Sequence, residues 1–169
     1  HDPLDDHSIG PGEVLNIMAG KDGLIWMTMR FGGLNSFNPK SGLFKRYPLP
    51  ELAWRTIPSA NALYEDPDGT LWVGATHFRL LAFDRQQEKY TLYTPDWIDP
   101  EKIGGRLTIL SITPDPHYPD ILLLSVLGYA AEEALFNSYG LVSFDKKTKT
   151  FQSTPFATNT RYVDENDIM

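Results

Sequence analysis

Asp22-Gly23-Leu24-Ile25-Trp26 returns as Asp68-Gly69-Thr70-Leu71-Trp72, and the two stretches then stay in step without a gap for about twenty residues. Phe37-Asn38 falls on Phe83-Asp84, Phe44 on Tyr90 and Tyr47 on Tyr93, every pair 46 positions apart. Two chance Asp-Gly turns would not carry these aromatic positions with them. A fixed period of this length marks a repeat architecture, in which one supersecondary unit is copied along the chain.

A third copy follows in looser form. Ile109-Leu110-Ser111-Ile112, Asp115-Pro116, the apolar run 121–126, Gly140-Leu141-Val142-Ser143-Phe144-Asp145 and Phe151 keep the order of the first two. Phe83 and Phe144 stand 61 positions apart, so this copy holds about fifteen additional residues, most of them between Val126 and Gly140. Among them Leu127-Gly128-Tyr129-Ala130-Ala131-Glu132-Glu133-Ala134-Leu135 is rich in Ala, Glu and Leu and lacks β-branched residues, which predicts a short helix in an insert over 127–139.

In the second copy the segments 60–64, 71–75, 80–83 and 89–93 are apolar or β-prone and separated by turn residues, which predicts four short strands. Asp68-Gly69 supplies a tight hairpin, because glycine accepts positive φ without a Cβ clash. The segment 38–42 does the same between the third and fourth strands of the first copy. Four strands to a unit of this period, with a Trp in the second strand, predict the blades of a β-propeller. Leu71-Trp72-Val73-Gly74 is apolar on both faces, as a sheet held between two neighbours requires. The expectation is an all-β fold, a partial β-propeller of about three four-stranded antiparallel blades with a short helical insert in the third. The blades are 13–59, 60–106 and 107–159, preceded by an inter-blade linker, 1–12, and followed at 160–169 by the start of a further blade. Propellers avoid free edges by closing a ring of blades, so further copies are expected on both sides.

The 169 residues are 41% hydrophobic and 12% aromatic, enough to build a core. A formal net charge of −7, with 15 Lys and Arg scattered along the chain, lacks the basic footprint that nucleic acid or an anionic membrane surface requires. There is no cysteine, which excludes disulfides and Cys-based zinc or thiol chemistry. No apolar run approaches the roughly 18 residues of a membrane helix, so a membrane is expected only through segments outside these residues.

At Glu65-Asp66-Pro67-Asp68-Gly69-Thr70-Leu71-Trp72-Val73-Gly74 the sequence resembles the two-component regulator propeller repeat. Gly33-Leu34-Asn35-Ser36-Phe37-Asn38-Pro39 and Phe44-Lys45-Arg46-Tyr47 are similar to the second half of that repeat, and His1-Asp2-Pro3 with Ser8-Ile9 ahead of Val14 is similar to its linker. Thr28-Met29 and Ala75 depart from its Gly-Thr pair, Arg79 stands where it has Gly before Leu80, and in the third copy the Trp gives way to Leu122-Leu123-Leu124. The resemblance implies the periplasmic sensor domain of bacterial hybrid two-component system histidine kinases, the extracytoplasmic part of an inner-membrane receptor often controlling glycan utilisation. It implies an oligosaccharide or other small polar ligand, the remaining blades of the same propeller as partners, room for a homodimer, and no cofactor. The kinase and receiver motifs of such receptors do not occur here, nor does a Gly-x-Ser-x-Gly elbow or a phosphate-binding glycine loop. The chain itself therefore reads as non-enzymatic. Two other readings stay open: a propeller enzyme of lyase or glycosidase type, and a protein-docking scaffold.

In a four-stranded meander the connections from strand two to strand three, and from strand four to the next blade, leave on one face. These are expected to be the longer loops and to carry the site, since binding residues favour loops on a rigid scaffold. Arg30, Trp54, Arg55, His77, Arg79, Trp97 and Tyr129 fall there. Aromatic faces stack on sugar rings and guanidinium groups donate several fixed hydrogen bonds, which makes these seven candidate ligand-binding residues. Each also has a plainer use: Trp54 or Trp97 as a cap between blades, Arg79 as the partner of a carboxylate. Trp26 and Trp72 hold equivalent repeat positions and are expected in the core. Asp66-Pro67-Asp68-Gly69 lacks the alternating oxygen ligands and later Glu of a calcium loop and reads as a β-turn. His1, His7, His77 and His117 show no His-x-x-x-His or Glu-x-x-His spacing, so no metal site is expected.

Overall fold

The computed structural model describes residues 1–50, 59–97, 107–128 and 140–153. Among them are three four-stranded antiparallel sheets and no helix. Blade 1 comprises β1 (Val14–Ala19), β2 (Ile25–Met29), β3 (Gly33–Asn38) and β4 (Leu43–Tyr47). Blade 2 comprises β5 (Ala60–Glu65), β6 (Leu71–Ala75), β7 (Arg79–Asp84) and β8 (Lys89–Tyr93). Blade 3 comprises β9 (Leu107–Pro114), β10 (Ile121–Gly128), β11 (Gly140–Asp145) and β12 (Thr150–Ser153). Each sheet is a meander whose hydrogen-bonded neighbours follow chain order. In blade 2 the structure adds one residue to the end of the first expected strand and one to each end of the third. The expected helical insert begins instead as strand, for Leu127 and Gly128 extend β10 against Thr108 and Leu107. Its remaining residues, 129–139, and the expected further blade at 160–169 lie outside the described residues.

The turns explain the repeated positions of the blades in local terms. Gly23 (φ 81°) and Gly69 (φ 92°) sit in the first turn of blades 1 and 2 in the left-handed region that only glycine enters freely. In the last turn of each blade a side-chain oxygen folds the chain back. Asn38, Asp84 and Asp145 each accept a backbone N–H two residues on, from Lys40 (2.9 Å), Gln86 (2.8 Å) and Lys147 (2.7 Å). This is the physical content of the repeated Phe-Asn and Phe-Asp pairs.

Two apolar clusters lie between the blades. Trp26, Leu34, Leu63, Leu71, Val73, Leu81 and Phe83 fill the space between blades 1 and 2. Trp72, Phe78, Leu80, Ile109, Leu122, Leu124, Val142 and Phe144 fill that between blades 2 and 3. Side chains alternate across a strand, so β6, contributing to both clusters, is buried at all five positions. Trp26 meets Tyr47 of its own blade at 5.5 Å and Phe83 of the next at 5.9 Å; Trp72 meets Tyr93 at 5.8 Å and Phe144 at 5.5 Å. The repeat's Trp and Phe are thus partners across blades. Each indole N–H is accepted by a carboxylate of its own blade's first turn, Asp22 for Trp26 and Asp66 for Trp72. The same carboxylates receive the base that follows Phe-Asp in the next blade: Arg85 to Asp22 at 2.8 Å and Lys146 to Asp66 at 2.6 Å.

The linker, 1–12, packs on blade 1. Arg46 donates to the carbonyls of Asp2, Asp5 and Ser8, and the fully buried Asn35 accepts the Gly10 N–H at 2.7 Å.

Candidate functional site

Two of the loops expected to be long are short, while the connections from β4 to β5, from β8 to β9 and from β10 to β11 span 48–59, 94–106 and 129–139. The β2–β3 and β6–β7 connections are three residues each, 30–32 and 76–78, against five and four, 20–24 and 39–42, in the turns of the opposite face of blade 1. Left-handed residues make the tightness. Phe31 (φ 69°) and Gly33 (φ 67°) turn the first loop, His77 (φ 63°) and Phe78 (φ 51°) the second. A non-glycine residue held there costs on the order of 1–3 kcal/mol and persists only where its surroundings over-determine it. For 76–78 those surroundings are plain. The Thr76 N–H donates to Ser59 and the Phe78 N–H to Leu107, both at 3.0 Å, and the buried Phe78 ring meets Phe151 edge-on at 5.8 Å. The loop is fastened to the entry of its own blade and to the next.

His77 is half-buried, with Nδ1 3.2 Å from the Thr76 hydroxyl. Burial first, and the charge of Arg79 second, hold its imidazole below the ordinary pKa. Arg79 is no loop residue: it opens β7 and is only 5% exposed. Alternation along β7 places it on the side of Leu81 and Phe83, which pack toward blade 1, while Leu80 and Ala82 pack toward blade 3. Among the described residues its guanidinium has neither a hydrogen bond nor an ion pair, and burial lowers its pKa with no neighbouring carboxylate to offset it.

Of the other sequence candidates, Arg30 is exposed on blade 1 and pairs with Glu13 at 3.3 Å. Trp97 is 42% exposed and touches Phe151 edge-on at 6.3 Å, two ring contacts from the loop through Phe78. Trp54, Arg55 and Tyr129 lie outside the described residues. The structure therefore joins His77 and Arg79, with Trp97 on the blade 3 side of the same loop. Sequence reasoning missed Thr28, whose fully buried hydroxyl has no hydrogen-bond partner among the described residues. Its signal was present: Thr28 replaces the glycine that blade 2 keeps as Gly74, where a Cβ would come within 2.5 Å of the Ile109 side chain. Among the described residues no three His, Asp or Glu side chains gather as a metal site.

Residues 57–77 match the family described as two component regulator propeller. Over those residues the chain is similar to a two-component regulator propeller repeat. The matched segment of this propeller repeat ends at His77, two residues before Arg79. No curated protein sequence matches the chain. Solved structures do. The extracellular domain of the BT4673 system of B. thetaiotaomicron, assigned as a hybrid two component system, superposes with TM-score 0.61 at 19% identity, over 92% of this chain and 17% of that one. The corresponding BT3049 domain gives TM-score 0.53 at 16% identity, over 90% of this chain and 25% of that one. The GH74 xyloglucanase of Xanthomonas campestris gives TM-score 0.53 at 17% identity, over 81% and 22%. At these identities the likeness shows the propeller fold, and the chain spans a quarter or less of each structure's length. No helix among the described residues is long and apolar enough to cross a membrane.

Proposed function

We propose that this chain is a segment of the extracytoplasmic, ligand-sensing propeller of a two-component signalling receptor, responsive to glycan-derived oligosaccharides. The regulator propeller repeat carries the reading, because its matched segment ends on the loop that holds the left-handed pair and leads into Arg79. On this reading the receptor is a histidine kinase of the inner membrane, the segment lies in the periplasm, and the remaining blades of the propeller cover the outer faces of blades 1 and 3. Those faces now expose Ile17 (64%) and Leu110 (44%). The xyloglucanase likeness does not favour catalysis, since one fold hosts unrelated functions.

Calorimetric titration of the full-length protein against a panel of neutral and acidic oligosaccharides tests the proposal. A saturable signal that weakens in Arg79→Ala, at unchanged melting temperature, is expected. Absence of binding to every saccharide sinks it.

A further inference from the structure

Arg79 is a base only 5% exposed that no acceptor among the described residues answers. The chain does not lack acids, having 22 Asp and Glu against 15 Lys and Arg. It matches its other enclosed bases: Arg85 reaches Asp22 and Glu65, each at 2.8 Å, and Lys146 reaches Asp66. Arg79 is 5% exposed, yet among the described residues it meets no acceptor, and the titratable group whose pKa its charge moves is another base, His77. A guanidinium used only to hold the fold is ordinarily given a carboxylate or carbonyl, and the side-chain nitrogens of Arg79 are not among the fully enclosed atoms, so they stay open to solvent or ligand. The adjoining backbone carries two consecutive left-handed non-glycine residues, strain of the kind that collects at ligand clamps. Nor is the arrangement imposed by the blade. At the equivalent place blade 1 has Gly33, where a Cβ would come within 2.6 Å of the Tyr47 carbonyl.

We propose that Arg79 binds an oxyanion group on the ligand, a carboxylate or sulfate, so that the saccharide sensed at this face is acidic. The inference rests on the sensor reading above and narrows it to a substrate class. The planar fork of arginine donates two parallel N–H···O bonds to such a group, and an enclosed site strengthens them.

The test uses the full-length protein, as wild type, Arg79→Gln and Arg79→Lys, with glucuronate, glucose 6-sulfate and glucose at equal ionic strength, read by titration and thermal melting. At least one of the two acids is expected to bind and to raise the melting temperature where glucose does not. Glucuronate alone points to a carboxylate, the sulfate alone to a sulfate. Arg79→Gln should weaken the acid about ten- to a hundredfold, the range for lost hydrogen bonds to a charged group. Arg79→Lys, which keeps the charge and loses the fork, should fall between. Ligand-free Arg79→Gln should melt no lower than wild type, since it removes an unanswered charge. Glucose binding as well as glucuronate, unaffected by Arg79→Gln, overturns the acidic-ligand inference and leaves the sensor reading standing. Protection of wild type but not Arg79→Gln by acetate or sulfate alone, with no saccharide bound, keeps the anion site and sinks the saccharide sensor. An Arg79→Gln protein that melts far below wild type while Arg79→Lys binds glucuronate normally makes Arg79 structural and overturns the proposal.

Discussion

Two tryptophans of like sequence character have unlike fates. Trp72 is 3% exposed between Tyr93 and Phe144, with its N–H accepted by Asp66, whereas Trp97 is 42% exposed and among the described residues meets one ring, Phe151. Trp72→Ala should therefore cost about 3–5 kcal/mol, and Trp97→Ala about 1 kcal/mol or less, in denaturant midpoints. Equal losses would mean that the ring contacts do not rank the two sites. His77 makes a pH prediction. Its folded-state pKa lies below the ordinary 6.5, so the native protein binds this proton less readily than the unfolded chain. The contribution of the neutral imidazole is complete above that value and is lost as pH falls below it toward the folded-state pKa. Urea midpoints measured between about pH 7.5 and about pH 5 should fall less in His77→Gln than in wild type. Parallel profiles would show that His77 is not the group responsible.

At the scale of elements, the blades are held by a chain of charge as well as by apolar packing. Arg85, beginning the β7–β8 turn, joins Asp22 of blade 1 to Glu65 of its own blade, and the Lys21 N–H also donates to Glu65 at 2.9 Å. The Glu65 side chain is only 5% exposed, so removing Arg85 leaves an enclosed carboxylate without its base. Arg85→Met should cost about 3 kcal/mol, and adding Glu65→Gln should recover much of the loss. A double-mutant cycle on chemical denaturation decides it, and strict additivity would show that the two groups do not communicate. The exposed Lys45–Glu88 pair, also between blades 1 and 2, should be worth well under about 1 kcal/mol by the same measurement.

Over the whole molecule, protection should be graded by position within the blade. β6 is buried at every residue and packs on both neighbours, while β4 and β8, at the outer end of their meanders, alternate between exposed and half-buried positions. Native-state hydrogen exchange should find the β6 amides slowest and the non-paired edges of β4 and β8 fastest. Uniform protection would instead indicate that the three blades open only as one unit.

Much of this was legible in the chain itself, because it is local. Gly23, Gly69, Asn38, Asp84 and Asp145 set turns through φ preference and side-chain hydrogen bonds only a few residues long, and the intervening apolar runs then have no choice but strands. The period and the two-sided apolarity of 71–75 carried the propeller with them. What only the tertiary structure decided is which partners those residues meet. In sequence Arg79 looks like any loop arginine, no different from Arg30. Its burial follows from the side of β7 it occupies and from the neighbouring blade, and its isolation from the absence of an acceptor among the described residues around it. Arg85 and Asp22 lie 63 positions apart, and Lys146 and Asp66 lie 80 apart. Such pairings depend on how one blade is stacked on the next, a geometry that no local pattern of residues encodes.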